Sequence, residues 1–179
     1  MKSNTATMAF LLLCIIIFGF GMNACGGNAT RDRFEYTERD INAKINGTVD
    51  GDDVNVVLKS RPDAGQGEYD LTLTFESPDA LGGLVISHNT NGSYEARLGE
   101  LIMHDFKADG LFEPFLTLLY HGEIASVFRD SEGHTTFFVK QEGIDLEYLF
   151  LKGSEYPYSI KGSLGDRKIE LFVQRLDLS

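Results

Sequence analysis

Cysteine, tryptophan and proline are all scarce in this 179-residue chain. It contains two cysteines, four prolines and no tryptophan. Cys14 lies inside the apolar run of residues 8–22, so Cys25 is the single cysteine outside that run. Two cysteines placed in this way exclude a disulfide-stabilised scaffold.

Positive charge is also in short supply. The sequence contains 16 Lys and Arg residues and 27 Asp and Glu residues, which gives a formal net charge of −11. Such a surface repels phosphate backbones and anionic headgroups. Nucleic acid is therefore not an expected partner.

Catalytic motifs are missing. The chain has no Gly-x-Ser-x-Gly elbow, no phosphate-binding Gly-Lys loop and no His-Glu-x-x-His helix. The acidic stretch 50–55 fails as an EF-hand, because Asn55 and Arg61 stand where glycine and glutamate are needed. No two histidines have the close spacing of zinc ligands; they are His88, His104, His121 and His134. We predict no catalytic residue, no metal and no cofactor, and hence no enzyme.

The N-terminus has the pattern of a secretory signal. Lys2 is its single charged residue, and residues 8–22 form an apolar run of 15 residues. A helix that crosses the hydrocarbon core needs roughly 20. The run is short for a span, so residues 1–24 are predicted to be a signal peptide.

The end of this segment resembles a bacterial lipobox. The residues that carry the resemblance are Met22-Asn23-Ala24-Cys25, although leucine is commoner at the first position and a small residue at the second. The resemblance implies cleavage before Cys25 and attachment of fatty acyl chains such as palmitate to it. More than one acyl chain makes such an anchor stable. The expected location is the outer face of the cell membrane, or the periplasmic face where there are two membranes.

Residues 25–40 are predicted to be the acylated cysteine and a flexible tether. The stretch after Gly26 and Gly27 is polar and highly charged, without an apolar period. The alternative is a short first helix, because Phe34 and Tyr36 could dock on the body of the protein. Residues 41–179 are expected to form one domain.

From Ile41 onward the dominant period of apolar residues is two, as expected for half-buried β-strands. Asp50-Gly51 and Asn91-Gly92 are strong hairpin signals, and further glycine turns recur about every ten residues. About ten antiparallel strands follow. A sheet of that size rarely stays flat, so it should curl.

One segment breaks the strand pattern. Residues 109–122 place apolar side chains at helical spacings of three and four. Asp109 could cap this helix, Pro114 is tolerable within its first turn, and Gly122 would stop it. The predicted fold is thus mainly β: a curled antiparallel sheet, or unclosed β-barrel, with one short apolar helix.

This arrangement resembles the LolA and LolB group of lipoprotein carriers and GerS-like lipoproteins. The resemblance rests on the strand pattern of residues 68–87, with Ser77 to Leu81 joining two strands, and on the apolar stretch 111–120. It implies an unclosed β-barrel with a helical lid and an apolar interior that holds acyl chains. For GerS-like relatives it implies a partner enzyme.

Two functions remain open. In the first, the domain carries a lipid or a lipoprotein acyl chain in a cavity beneath the helix. In the second, the core is filled and the domain is a scaffold for an envelope protein. The residues that would line the cavity, or pack the core, are Leu71, Leu73, Phe75, Ile86, Phe112, Phe115, Leu116 and Leu119. The expected partners are the membrane, through Cys25, and a lipid or an envelope protein.

Overall fold

A computed structural model describes residues 32–62, 69–88, 94–104, 109–119 and 123–179. Their strands are β1 (Ile41–Val49), β2 (Asp52–Pro62), β3 (Tyr69–Ser77), β4 (Leu84–His88), β5 (Tyr94–Leu98), β6 (Leu101–His104), β7 (Ile124–Arg129), β8 (Thr135–Gln141), β9 (Ile144–Phe150), β10 (Ser159–Leu164) and β11 (Arg167–Leu178). The α-helix is α1 (Asp109–Leu116), and 3₁₀ helices span Asp32–Glu38, Asp79–Leu81 and Thr117–Leu119.

The eleven strands form one antiparallel sheet in the order β6-β5-β4-β3-β2-β1-β11-β10-β9-β8-β7. The sheet is curled and unclosed, with β6 and β7 as its two edges. The predicted fold class is confirmed, with one strand more than expected. Strand β6 is the shortest, and its four exposed residues show no alternation of burial.

Alternation along the strands gives the sheet an apolar inner face. On β1, Ile41, Ala43 and Ile45 are buried, whereas Asn42 between them is exposed. The same alternation continues through β2 and β11, which flank β1 on either side. The core therefore lies inside the curl, along the middle of the sheet.

The turn between β1 and β2 has the predicted form. Asp50 and Gly51 both have positive φ angles, 56° and 90°, as a type I′ hairpin turn requires. One carboxylate oxygen of Asp50 accepts a hydrogen bond from the backbone N–H of Lys168 at 2.8 Å. The acidic stretch is thus a structural turn. The second predicted turn, Asn91-Gly92, lies outside the described residues, but β4 and β5 on its two sides do pair.

Two glycines inside strands let neighbouring backbones approach closely. Gly47 in β1 and Gly162 in β10 have φ angles of 151° and 138°. A Cβ atom at Gly162 would lie 2.0 Å from the carbonyl oxygen of Asp145, and one at Gly47 would lie 1.9 Å from that of Glu170. Irregular pairing also occurs at Lys44/Ile45. Glycine kinks and bulges of this kind bend a sheet, which agrees with its curl.

The predicted tether is wrong for residues 32–40. Residues Asp32–Glu38 form a 3₁₀ helix in which Phe34 and Tyr36 are buried. The Phe34 ring packs edge-on against Phe137 and Phe150 on the inner face, with centroid distances of 5.5 Å to each. Burying these two aromatic rings outweighs the polar character of the surrounding residues. Residues 1–24, Cys25 and residues 26–31 lie outside the described residues.

Helix α1 is confirmed but differs in detail. It runs from Asp109 to Leu116 and continues as a 3₁₀ helix through Leu119. Pro114 is its sixth residue, so the expectation that proline would fall in the first turn is wrong. The predicted stop at Gly122 lies outside the described residues. None of the described helices is long and apolar enough to cross a membrane.

Replacement of Gly162 by alanine is expected to destabilise the domain by roughly 2 to 4 kcal/mol, because the new Cβ would meet the Asp145 carbonyl in a backbone conformation that strains alanine. Urea unfolding of Gly162→Ala measures this loss. The control is Gly110→Ala, where a Cβ meets nothing within 4 Å. Equal midpoints for the two variants would contradict the close approach.

Candidate functional site

The eight apolar residues predicted to line a cavity or pack a core all lie on or beneath helix α1. Leu71, Leu73 and Phe75 are on β3 and Ile86 is on the adjacent β4. The other four belong to α1 and the 3₁₀ turn after it: Phe112, Phe115, Leu116 and Leu119. Seven of the eight are buried, and Leu116 packs against the buried cluster from its edge. The structure thus brings the predicted residues together.

Helix α1 fills the inner face over β3 to β5. The rings of Phe75 and Phe115 meet edge to face at a centroid distance of 5.9 Å. Phe112 meets Tyr94 of β5 in the same way at 5.8 Å. These are favourable aromatic geometries, so the helix lies directly on the sheet at these contacts.

A second cover lies over the other half of the inner face. It is the 3₁₀ helix Asp32–Glu38, whose Phe34 contacts aromatic side chains of β8 and β9, among them Tyr148 at a centroid distance of 5.6 Å. Its Tyr36 is 2% exposed. Two short helical segments from different parts of the chain therefore share the inner face of one sheet.

Tyr36 joins the two covers. Its hydroxyl donates a hydrogen bond of 2.6 Å to the carbonyl of Leu118, and the hydroxyl of Tyr148 donates one of 3.0 Å to the carbonyl of Thr117. Carbonyls at a helix end have no partner within the helix, so the two tyrosines satisfy the end of this segment. Burial, and to a smaller degree the neighbouring Tyr148, raise the pKa of Tyr36 well above its ordinary value. Its hydroxyl therefore stays protonated as a donor.

The start of helix α1 is held by Arg167. Pro114 has no N–H, so the Gly110 carbonyl four residues earlier lacks its helical partner. The guanidinium of Arg167 donates to this carbonyl instead. Its Nε also lies 3.4 Å from a carboxylate oxygen of Asp50. Arg167 thereby connects the helix to the β1–β2 turn.

Two apolar clefts of about 160 Å³ each flank helix α1. The first is bordered by Val49, Asp50, Asp52, Val54, Phe75, Pro78, Leu81, Gly110, Leu111, Pro114, Phe115 and Arg167. The second is bordered by Glu113, Leu116, Thr117, Ile144, Leu146 and Leu164. Pockets that hold small ligands usually measure about 300 to 1,000 Å³. Each cleft is thus too small for a whole lipid while the helix is in place.

The histidines do not assemble into a site. Nδ1 of His104 lies 3.3 Å from a carboxylate oxygen of Glu95, and Nδ1 of His134 lies 3.0 Å from one of Asp130. The His88 ring packs on Tyr94, and His121 lies outside the described residues. Across the described ranges, no three His, Cys, Asp or Glu side chains come together as metal ligands.

The docking of Tyr36 agrees with the alternative prediction of a short first helix, but its hydrogen bond to Leu118 was not predicted. Arg167 belongs to no sequence motif, and its role was not predicted either. Pro114 did signal that one helical carbonyl would need an outside donor. It could not show that the donor is Arg167, which lies 57 residues from Gly110 in sequence.

No protein-family model matches the chain, and no curated protein matches it in sequence. Solved structures do. An uncharacterised conserved protein from Thermus thermophilus is similar with a TM-score of 0.53 and 16% identity, over 84% of this chain and 86% of that one. MucB gives 0.49 and 11%, over 85% of this chain and 59% of its own length. A LolA superfamily protein from Nitrosomonas europaea gives 0.42 and 8%, over 87% and 94%.

At these sequence identities the similarity concerns the fold alone. Of these three structures, the Thermus protein has a TM-score above 0.5. The chain shares its overall fold with the Thermus protein. The lipobox lies outside the described residues, and membership of a carrier family stays a prediction.

Removal of the Tyr36 hydroxyl is expected to cost about 1 to 2 kcal/mol, because the buried Leu118 carbonyl loses its donor. Urea unfolding of Tyr36→Phe measures it. The matched control is Tyr158→Phe. Tyr158 is 43% exposed, and the variant keeps the ring that packs on Phe172. Its stability should stay within a few tenths of a kcal/mol. Equal losses in both variants would contradict the role of Tyr36.

Proposed function

We propose that this protein is a non-catalytic lipoprotein of the bacterial cell envelope that binds an acyl chain between helix α1 and the inner face of its sheet. The proposal rests on the way in which helix α1 covers β3 to β5. A single short helix lies on a continuous apolar surface, with an apolar cleft on each side. An acyl chain entering either cleft would meet mostly apolar side chains, with charged residues such as Asp52 and Glu113 also at the borders.

Binding would require helix α1 to shift, since neither cleft holds a lipid as it stands. Polar contacts that keep the segment in place include the hydrogen bond from Arg167 at its start and those from Tyr36 and Tyr148 at its end. Each typically contributes about 0.5 to 1.5 kcal/mol. Phe112 and Phe115 would exchange contacts with the sheet for contacts with the acyl chain, so little apolar burial would be lost.

The second candidate is a scaffold that holds a partner protein at the envelope. The packing of the inner face favours it, because Phe75, Phe115 and Phe112 are each at most 2% exposed. Native interiors are densely packed, and a filled core needs no ligand. In this function the helix never leaves the sheet.

Native mass spectrometry distinguishes the two functions. The chain purified from an envelope extract is expected to carry one lipid mass that is lost on denaturation. The Leu81→Trp variant should lose this mass, because the larger side chain would fill the first cleft, which Leu81 borders. The matched control is Ile102→Trp on edge strand β6, a side chain that is 45% exposed. It should keep the lipid.

An apo mass for the wild-type chain, with no uptake of added phospholipid, would contradict acyl binding and favour the scaffold. Retention of lipid by Leu81→Trp at unchanged stoichiometry would place the ligand elsewhere.

The anchor at Cys25 is tested separately, by partition of the expressed chain into a detergent phase. Cys25→Ser is expected to move the protein from the detergent phase to the aqueous phase or to leave the signal uncleaved, since serine cannot carry the thioether-linked diacylglycerol. Cys14→Ser is the matched control, because Cys14 would leave with the signal peptide. Equal partition of both variants and wild type, with the signal peptide cleaved in all three as judged by mass, would contradict the anchor.

A further inference from the structure

One rim of the sheet contains the first described residues of the chain. This proximal rim consists of the 3₁₀ helix Asp32–Glu38, the β7–β8 connection 130–134 and the β9–β10 connection 151–158. Arg33 ties the first part to the last, because its Nη1 donates a hydrogen bond of 2.6 Å to the Ser154 carbonyl. The distal rim, at the other ends of the strands, carries the turns 50–51, 142–143 and 165–166.

The proximal rim carries three large exposed apolar side chains. Phe128 is 59% exposed, Tyr158 is 43% exposed and Leu151 is 38% exposed. Phe128 pairs with Thr136 and Thr136 with Leu149. The N–H of Tyr158 donates to the Leu149 carbonyl at 2.7 Å. At about 4.8 Å between neighbouring strands, the three side chains fall within about 15 Å of one another along the rim.

These three residues form the rim patch, and the proximal rim also contains Arg33, which is close in sequence to the predicted anchor. Seven residues lie between Cys25 and Arg33, so eight residue steps join them, and a fully extended chain of that length spans at most about 29 Å. The anchored lipid surface would therefore be within that distance of the proximal rim. The distal rim is farther away by the length of the strands.

We infer that the rim patch rests on the lipid surface that holds the anchor, a placement that depends on the acylation of Cys25 proposed above. Exposed aromatic residues are typical of membrane interfaces, where the ring lies at headgroup level and the Tyr hydroxyl stays in water. The charges around the patch are of both signs. Arg39 pairs with Glu155 at 3.8 Å, and Lys152 lies beside the 130–134 turn. Contact between the rim patch and the membrane thus needs no anionic lipid.

The turn beside the patch is well fixed. Desolvation acts to raise the pKa of Asp130, but hydrogen bonds from His134 and Glu132 outweigh it, so the pKa lies below its ordinary value. One oxygen of Asp130 accepts the N–H groups of both Glu132 and His134, each at 2.9 Å. Phe128 is therefore presented from a strand end next to a braced turn.

The placement also orients the clefts beside α1. Both lie towards the distal rim, because one is bordered by Asp50 and Arg167 and the other by Ile144 and Leu164. With the rim patch on the membrane, both clefts would lie near the rim that is farther from it.

The absence of tryptophan makes a direct test possible. The acylated full chain carrying Tyr158→Trp is bound to vesicles of phosphatidylcholine brominated on its acyl chains. Its fluorescence is compared with that on unbrominated vesicles. Bromine should quench the indole several-fold, and the emission should shift to shorter wavelength. The control is Leu101→Trp at the distal rim, a side chain as exposed as Phe128 at 59%. It should show no quenching.

The outcomes separate the patch from the anchor and from lipid binding. Vesicle flotation of the same samples reports the anchor, and a chain that does not float overturns both the anchor and the patch. A chain that floats while Tyr158→Trp stays unquenched overturns the patch alone, as expected if a protein partner covers it. Equal quenching of both variants overturns the assigned orientation. Acyl binding is measured independently by mass spectrometry.

Discussion

The packing of two short helical segments on the inner face of one curled sheet is the interaction on which the structure depends. The eleven-stranded sheet has one apolar face and ends at β6 and β7, and the described residues form no second sheet that could bury that face. Helix α1 covers β3 to β5, and the 3₁₀ helix Asp32–Glu38 covers β8 and β9. Without these covers, apolar side chains such as Phe75 and Phe137 would face water.

The covers depend on a few polar contacts that compensate for irregular backbone. Pro114 removes one helical donor, and Arg167 replaces it from β11. Tyr36 links the end of one cover to the other through the Leu118 carbonyl. The Leu118 carbonyl is buried, and an unsatisfied buried carbonyl is costly, so the Tyr36 hydrogen bond helps to fix where the two covers sit. Movement of one cover would therefore strain or break the Tyr36 hydrogen bond that links it to the other.

Acyl binding and membrane contact are proposed for opposite rims of the domain. The clefts beside α1 lie towards the distal rim, and the rim patch lies at the proximal rim. In sequence, the residues after Cys25 lead directly into the 3₁₀ helix whose Phe34 packs on the inner face. Attachment at Cys25 and the packing of the second cover are thus continuous along the chain.

Local chemistry alone predicted much of the fold. Alternation along β1, β2 and β3, the type I′ turn at Asp50-Gly51 and the helical spacing around Phe112 and Phe115 all appear as expected. The apolar residues of the candidate site were also found from spacing, because an inward-facing residue must be apolar wherever it packs. For Phe34 and Tyr36 the sequence left two readings open, a flexible tether or a short docked helix. The structure shows the docked helix, which is held by contacts with β8 and β9.

Several features follow from the amino-acid sequence alone: the strand and helix periods, the hairpin turn, the acidic surface and most of the apolar core. Each of these depends on near neighbours in the chain or on composition. Other relations arise only when the chain folds: Arg167 meets Gly110, Tyr36 meets Leu118, and Phe128, Leu151 and Tyr158 share one rim. These relations join residues far apart in sequence, and the register and curl of the assembled sheet bring them together.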